Sequence, residues 1–247
     1  MRAEGADVLA EGRRLLDLAE GSGVALRLLG GAAIGLRTPD LPRELGRAYG
    51  DLDFVGPPGS TSEVSALFAQ AGYAADAAFN TLHGKRRLIF VEPTERRKCD
   101  VFVGTFEMCH RIPVAERLEL ERLTLPLAEL LVTKLQIVEL NDKDVRDALG
   151  LLAGHEVAET DGESINAARV AALCAADWGL WRTLTANLAA LRGHAGDYGL
   201  PDAVQRSILE RIAMLLDRIE GEPKPRAWRL RARVGDRVRW YELPEDV

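Results

Sequence analysis

The chain has 247 residues, 47% of them hydrophobic, enough to bury roughly 70–75% of its unfolded surface as one large domain or two small ones. Its 32 Lys and Arg against 38 Asp and Glu give a net charge of -6, which excludes a global attraction to nucleic acid or anionic lipid, so any polyanion site must be local. Three cysteines (Cys99, Cys109 and Cys174) with no CxxC pair exclude a disulfide framework and a cysteine zinc site, and no run of about 18 uncharged apolar residues or signal-peptide core is present, so a cytoplasmic protein with no membrane partner is expected.

In chain order, Asp7 to Glu20 places Val8, Leu9, Leu15, Leu16 and Leu18 at near-helical spacing, and Gly21-Ser-Gly23 ends that helix. VALRLLGG reads as a short buried strand running into a glycine turn, and AAIGLR as a short helix. A Pro-containing loop leads to the strand DLDFVG, with Leu52 and Phe54 on one face and Asp51 and Asp53 on the other. Ser60 or Thr61 caps the helix TSEVSALFAQAG, and strand-like segments follow around Tyr73–Asn80, Arg87–Val91 and Lys98–Val103. Residues 1–125 are therefore expected to be an α/β domain on a mixed sheet.

Beyond Pro126 the apolar periods become helical, in PLAELLVTKLQIVEL, DKDVRDALGLLAG, SINAARVAALCAADW, LWRTLTANLAALRG and AVQRSILERIAMLLDRIEG. Residues 126–247 are expected to form a helical bundle. Its tail, KPRAWRLRARVGDRVRW, alternates apolar and basic residues around Gly235-Asp236, which predicts a basic β-ribbon at about 224–241.

Three features bear on chemistry. On a strand Asp51 and Asp53 present their oxygens on one side, and oxygen-only ligands favour a hard cation such as Mg²⁺; the bland alternative is two solvated aspartates. Gly30-Gly31 at a strand-to-helix turn exposes backbone N–H groups at the positive end of a helix, where a phosphate fits, although a tight turn alone also explains it. Asp100 lies inside an otherwise apolar strand and needs a counter-charge, either a metal or a salt bridge to Arg87 or Arg97.

Together, Gly30-Gly31, Asp51-x-Asp53 and Asp100 resemble the signature of the polymerase-beta-type nucleotidyltransferase superfamily. Arg47 ahead of Asp51, and Lys134 ahead of a Lys143-Asp144…Asp147 cluster, are similar to its AbiEii-like, abortive-infection branch. The resemblance covers about residues 25 to 153. It implies a mixed-sheet catalytic domain that transfers a nucleoside monophosphate from an NTP to a hydroxyl acceptor (an RNA end, a protein or a small molecule) with two Mg²⁺ ions. Gly30 and Gly31 would hold the triphosphate, Asp51 and Asp53 the metals, and Asp100 would complete the metal site and act as base. Arg47 and Lys134 would meet phosphate charge. Three positions depart from the family pattern: Ala32 follows the glycines, nineteen residues separate Gly31 from Asp51, and Tyr49 stands two before Asp51. The alternative these departures leave is a non-catalytic binding or regulatory protein of the same fold, such as a toxin–antitoxin component.

Other features carry two readings each. On a helix Asp142 and Asp144 are about 200° apart and cannot share a metal; the stretch is a solvated face or, as the family resemblance suggests, turns Lys143 or Asp144 to the cleft. Trp178 and Trp181, at i and i+3, are bundle core or a base-stacking wall. Lys85-Arg86-Arg87 and Arg96-Arg97-Lys98 are solvated strand ends or receivers of phosphate or an anionic acceptor, and the arginine-rich tail is a solvated face, a salt-bridge partner of the protein's own helices, or a grip for RNA phosphates or an acidic partner. His83, His110, His155 and His194 are scattered, and no Ser or Cys stands in an activation motif.

Overall fold

Buried residues on both sides of short β-branched and aromatic runs build the central sheet, as expected for strands covered on two faces. In the computed structural model, which describes residues 4–243, the chain divides into two units. The first comprises residues up to Pro39, Arg47–Glu107 and Arg111–Leu125; the second comprises Asp40–Gly46, Met108–His110 and the chain from Pro126 onward. Residues 1–3 and 244–247 of the two expected domains lie outside the described residues.

The first unit runs α1 (Glu4–Gly21), β1 (Arg27–Leu29), α2 (Gly30–Arg37), β2 (Leu52–Gly56), α3 (Thr61–Gln70), β3 (Ala74–Ala75), α4 (Ala77–His83), β4 (Arg87–Val91), β5 (Lys98–Val103), β6 (Thr105–Glu107) and β7 (Arg111–Pro113). The mixed sheet has the order β1-β2-β5-β4-β3, with β2 and β5 parallel and the other neighbours antiparallel. One face is the core. Phe68 of α3 stacks on Phe90 at 4.3 Å and meets Phe54 edge-on at 5.9 Å, and Gly12 of α1 sits against Leu28 and Leu52. The opposite face carries Asp53, Asp100 and Arg87.

Near both ends of the sheet, backbone groups find partners outside the strands. Leu28 of β1 donates its N–H to Leu123 and accepts from Leu125, so a returning segment lies along β1. At the other edge, where β3 ends, the Asn80 amide takes the place of a strand: its Oδ1 accepts from the Ile89 N–H at 2.8 Å and its Nδ2 donates to the Ile89 carbonyl at 3.0 Å.

The expected strand at Tyr73–Asn80 is corrected to the two-residue β3 followed by α4. The Asp76 carboxylate accepts from the Phe79 N–H, an N-cap that starts a helix in Ala-rich sequence. The strand expected from Asp51 begins at Leu52, leaving Asp51 exposed just before it.

The second unit contains α5 (Leu127–Leu135), α6 (Asp142–Gly154), β8 (Glu156–Ala158), β9 (Ser164–Asn166), α7 (Ala167–Ala176), α8 (Trp178–His194), α9 (Asp202–Gly221) and α10 (Arg226–Val234). Its helices bury Ile208, Ile212, Leu215 and Ile219 of α9 among α6, α7 and α8. Two features differ from the expectation of a pure bundle with a ribbon tail. The short pair β8-β9 is parallel, its register running from Glu156↔Ser164 to Ala158↔Asn166. The tail is helical from Arg226 to Val234 and then turns through a 3₁₀ segment at Gly235–Arg237. Ala, Leu and Arg are strong helix formers, Pro225 pre-sets the N-cap, and the helix is anchored by Trp228, whose Nε1–H donates to the Cys174 carbonyl at 2.9 Å.

Buried charge in this unit is paired. Lys134 Nζ lies 3.0 Å from Asp144 Oδ1 and 2.9 Å from Asp147 Oδ2, and Arg169 Nε lies 2.8 Å from the fully buried Glu129. His110 is also buried, its Nε2 2.8 Å from Thr183 Oγ1, which in turn accepts from Trp240 Nε1–H at 3.0 Å. Burial pushes the His110 imidazole below its ordinary range, against an opposing pull from Asp177. The unfolded chain takes up this proton first, so the contribution of His110 to stability is complete above the ordinary histidine range of about 6.5 and falls as pH drops through it. Urea unfolding should therefore weaken more between about pH 7 and pH 5.5 in the wild type than in His110→Gln; equal losses would remove His110 from the acid response. No described helix is long and apolar enough to cross a membrane.

Candidate functional site

The β1–α2 turn sets the geometry. Leu29 is extended and Gly30 follows at φ +69°, a left-handed conformation that glycine adopts without strain. A β-carbon on Gly30 would overlap Asp53 Oδ2, and one on Gly31 would overlap Nη2 of Arg47. The two glycines therefore let a carboxylate and a guanidinium approach the backbone at consecutive positions. Gly35, one turn further along α2, does the same for an aromatic ring: its β-carbon position lies 2.6 Å from Tyr49 Cε2. The Arg47 guanidinium stands 4.7 Å from the centre of that ring, in cation–π contact.

The sheet register brings the second carboxylate in. Leu29 pairs with Asp53 across β1-β2, and Asp53 with Asp100 across the parallel β2-β5 pair, so both aspartates share the face opposite the aromatic core. Asp100 is buried, with 6% of its surface exposed. Its Oδ1 accepts from Arg87 Nε at 2.9 Å and pairs with Arg87 Nη2 at 2.9 Å, while Lys98 Nζ lies 3.5 Å from Oδ2. Arg87 is itself flanked by Phe102 at 5.2 Å and Phe79 at 5.7 Å. Between the two arginines expected as partners of Asp100, Arg87 makes the salt bridge, with Lys98 as a second cation.

Gly30, Gly31, Arg47, Asp53 and Asp100 are thus gathered in the first unit, with Asp51 exposed two residues before Asp53. Lys134 belongs to the second unit, where it is the cation of a buried triad with Asp144 and Asp147. Within the DKD stretch the two aspartates differ. Asp144 is buried and paired, whereas Asp142 is exposed and pairs with Arg146. Burial alone would push the Lys134 amine down; Asp147 and Asp144 outweigh it and hold it above the usual lysine range.

The carboxylates are of the type that binds a hard cation. Among the described residues, however, no group of three His, Cys, Asp or Glu side chains is set to hold a metal ion. A metal at Asp100 has to displace Arg87. Burial pushes the Cys99 thiol up and the Cys174 thiol up to about 12, so neither is a thiolate at neutral pH.

Three residues of this region had no part in the expected site. Gly35 and Tyr49 are linked only through the fold; a glycine inside a helical pattern was the available signal. Phe79, expected on a strand, lies on α4 over Arg87. Trp178 is buried under Arg231, whose guanidinium is 4.3 Å from its ring, as core rather than as an open stacking wall. No protein-family model matches the chain, and no curated protein matches its sequence.

Proposed function

We propose that this chain is a metal-dependent nucleotidyltransferase that moves a nucleoside monophosphate from an NTP to a hydroxyl acceptor, an RNA end, a protein or a small molecule. The observation that carries this reading is the stacking of three chemistries at one turn: left-handed Gly30 against Asp53, Gly31 against Arg47, and Asp53 in register with Asp100. On this reading the N–H groups of Gly30 and Gly31 and the Arg47 guanidinium hold the triphosphate. Asp51, Asp53 and Asp100 would hold Mg²⁺, which would supply charge neutralisation for the transferred group and the leaving pyrophosphate. Asp100 also accepts the proton of the attacking hydroxyl.

A second reading, a non-catalytic binding or regulatory protein of the same fold such as a toxin–antitoxin component, is favoured by the Arg87 and Lys98 contacts. They already balance the Asp100 charge that a metal would otherwise balance.

Thermal unfolding of wild type and Asp53→Asn with ATP, GTP, CTP and UTP, each with and without Mg²⁺, separates the two. A nucleotide at 100 times its dissociation constant adds about 2.7 kcal/mol to stability. A magnesium-dependent shift lost in Asp53→Asn is expected for the enzyme. No shift with any nucleotide favours the second reading.

A further inference from the structure

The tail of the second unit is basic in a chain of net charge -6: from Lys224 to Leu243, seven Lys and Arg meet two carboxylates. Helix α10 is fixed from behind. Besides the Trp228 hydrogen bond to Cys174, Trp181 meets Trp228 edge-on at 5.1 Å. The Arg231 guanidinium stacks on Trp178 and donates to the Gly235 and Val238 carbonyls at 2.8 and 2.9 Å, closing the helix end.

The front of the same helix carries two ridges. Arg226, Arg229 and Arg233, at i, i+3 and i+7, form one row; Leu230 and Val234, at i and i+4, form the next. All five are exposed, Leu230 by 60% and Val234 by 41%. Among the described residues, none of these three arginines pairs with a carboxylate.

We infer that the front of α10 is a docking surface for an acidic amphipathic segment of a partner protein, its carboxylates on the arginine row and its apolar side chains on Leu230 and Val234. Charge complementarity selects the acidic row, because uncompensated arginines on an acidic protein attract carboxylates and orient the encounter. The adjoining aliphatic ridge selects a protein segment over a phosphate backbone, which offers nothing apolar to cover it. A helix held by tryptophans from behind loses little freedom when its front is bound.

The probe is a synthetic acidic amphipathic helix whose glutamate row mirrors the arginines and whose leucine row mirrors Leu230 and Val234, followed by fluorescence anisotropy on the full chain. Poly(U) RNA and vesicles of phosphatidylcholine with phosphatidylglycerol are run alongside. Arg229→Glu/Arg233→Glu should weaken peptide binding by about tenfold or more, as removal of close interfacial charge pairs does. Leu230→Ser/Val234→Ser should weaken it by at least about fivefold, the scale of two partly covered aliphatic side chains. These positions are exposed, and unchanged thermal unfolding confirms that the variants are folded. Absence of peptide binding overturns the inference. So does peptide binding indifferent to the Leu230/Val234 change, or RNA or vesicle binding that is tighter than the peptide's and lost in the arginine variant.

Discussion

Replacing Lys134 with methionine is expected to cost about 3–5 kcal/mol of stability in the second unit, because it leaves Asp144 and Asp147 buried without their shared cation. The loss should exceed the worth of any one hydrogen bond, since the penalty falls on uncompensated charge rather than on a missing contact. Two further signatures follow. Lys134 is held above the usual lysine range, so its contribution is complete below about pH 10.4 and is lost only as pH rises through the higher folded value. Lys134→Met should therefore narrow the difference between neutral and strongly alkaline stability. In addition, replacing the whole triad, as Lys134→Met with Asp144→Leu and Asp147→Leu, should recover most of the loss. Urea unfolding at several pH values measures all three. A loss below about 1 kcal/mol for Lys134→Met, the range of exposed ion pairs, would show that the triad is solvated rather than buried.

Gly30→Ala should be the most disruptive of the three glycine substitutions around the β1–α2 turn, at about 2–4 kcal/mol. It forces a side chain into a left-handed conformation and drives the new methyl group into Asp53. Gly31→Ala meets the tip of Arg47, a flexible side chain that swings aside, so it should cost far less. Gly35→Ala meets the Tyr49 ring edge at 2.6 Å and falls between them. Chemical unfolding gives the order directly. If Gly31→Ala unfolds the chain as readily as Gly30→Ala, Arg47 is locked in place. If the chain binds a nucleotide as proposed, Gly31→Ala, which displaces Arg47 while keeping the fold, should lose the nucleotide-dependent shift at little cost in stability.

Much of this architecture was legible in the residues. Arg87–Val91, Lys98–Val103 and the helix DKDVRDALGLLAG stand where apolar periodicity put them, because each segment's period agrees with the burial it finds. The Gly-Gly turn was legible for a different reason: glycine enters, without strain, the left-handed conformation that the passage from β1 to α2 requires. The tail was not. Arg229, Arg231 and Arg233 alternate as on a strand, yet Arg226, Arg229 and Arg233 also follow a helical period. What decides between the two is the tryptophan cluster that Trp228 joins, a tertiary contact that no local pattern encodes. Asp100 failed to declare its partner for the same reason. Arg87 and Arg97 were both within reach in sequence, and only the antiparallel β4-β5 register puts Arg87 two residues from the position opposite Asp100. The pairing of Tyr49 with Gly35 needed the loop between α2 and β2 to fold back on the helix, which its composition does not specify.

The guarded positions near the two ends of the sheet govern how this unit meets other chains there. With Leu123–Leu125 along β1, and the Asp76 N–H and the Asn80 amide on Ile89 where β3 ends, the backbone groups of Leu28 and Ile89 already have partners. Strand addition and edge-to-edge aggregation, which require an open row of backbone donors and acceptors, are both blocked at these positions. A second molecule that meets the sheet at Leu28 or Ile89 has to do so through side chains. Replacing Asn80 with leucine would leave the Ile89 N–H without its acceptor, while the Ile89 carbonyl keeps the Asp76 N–H.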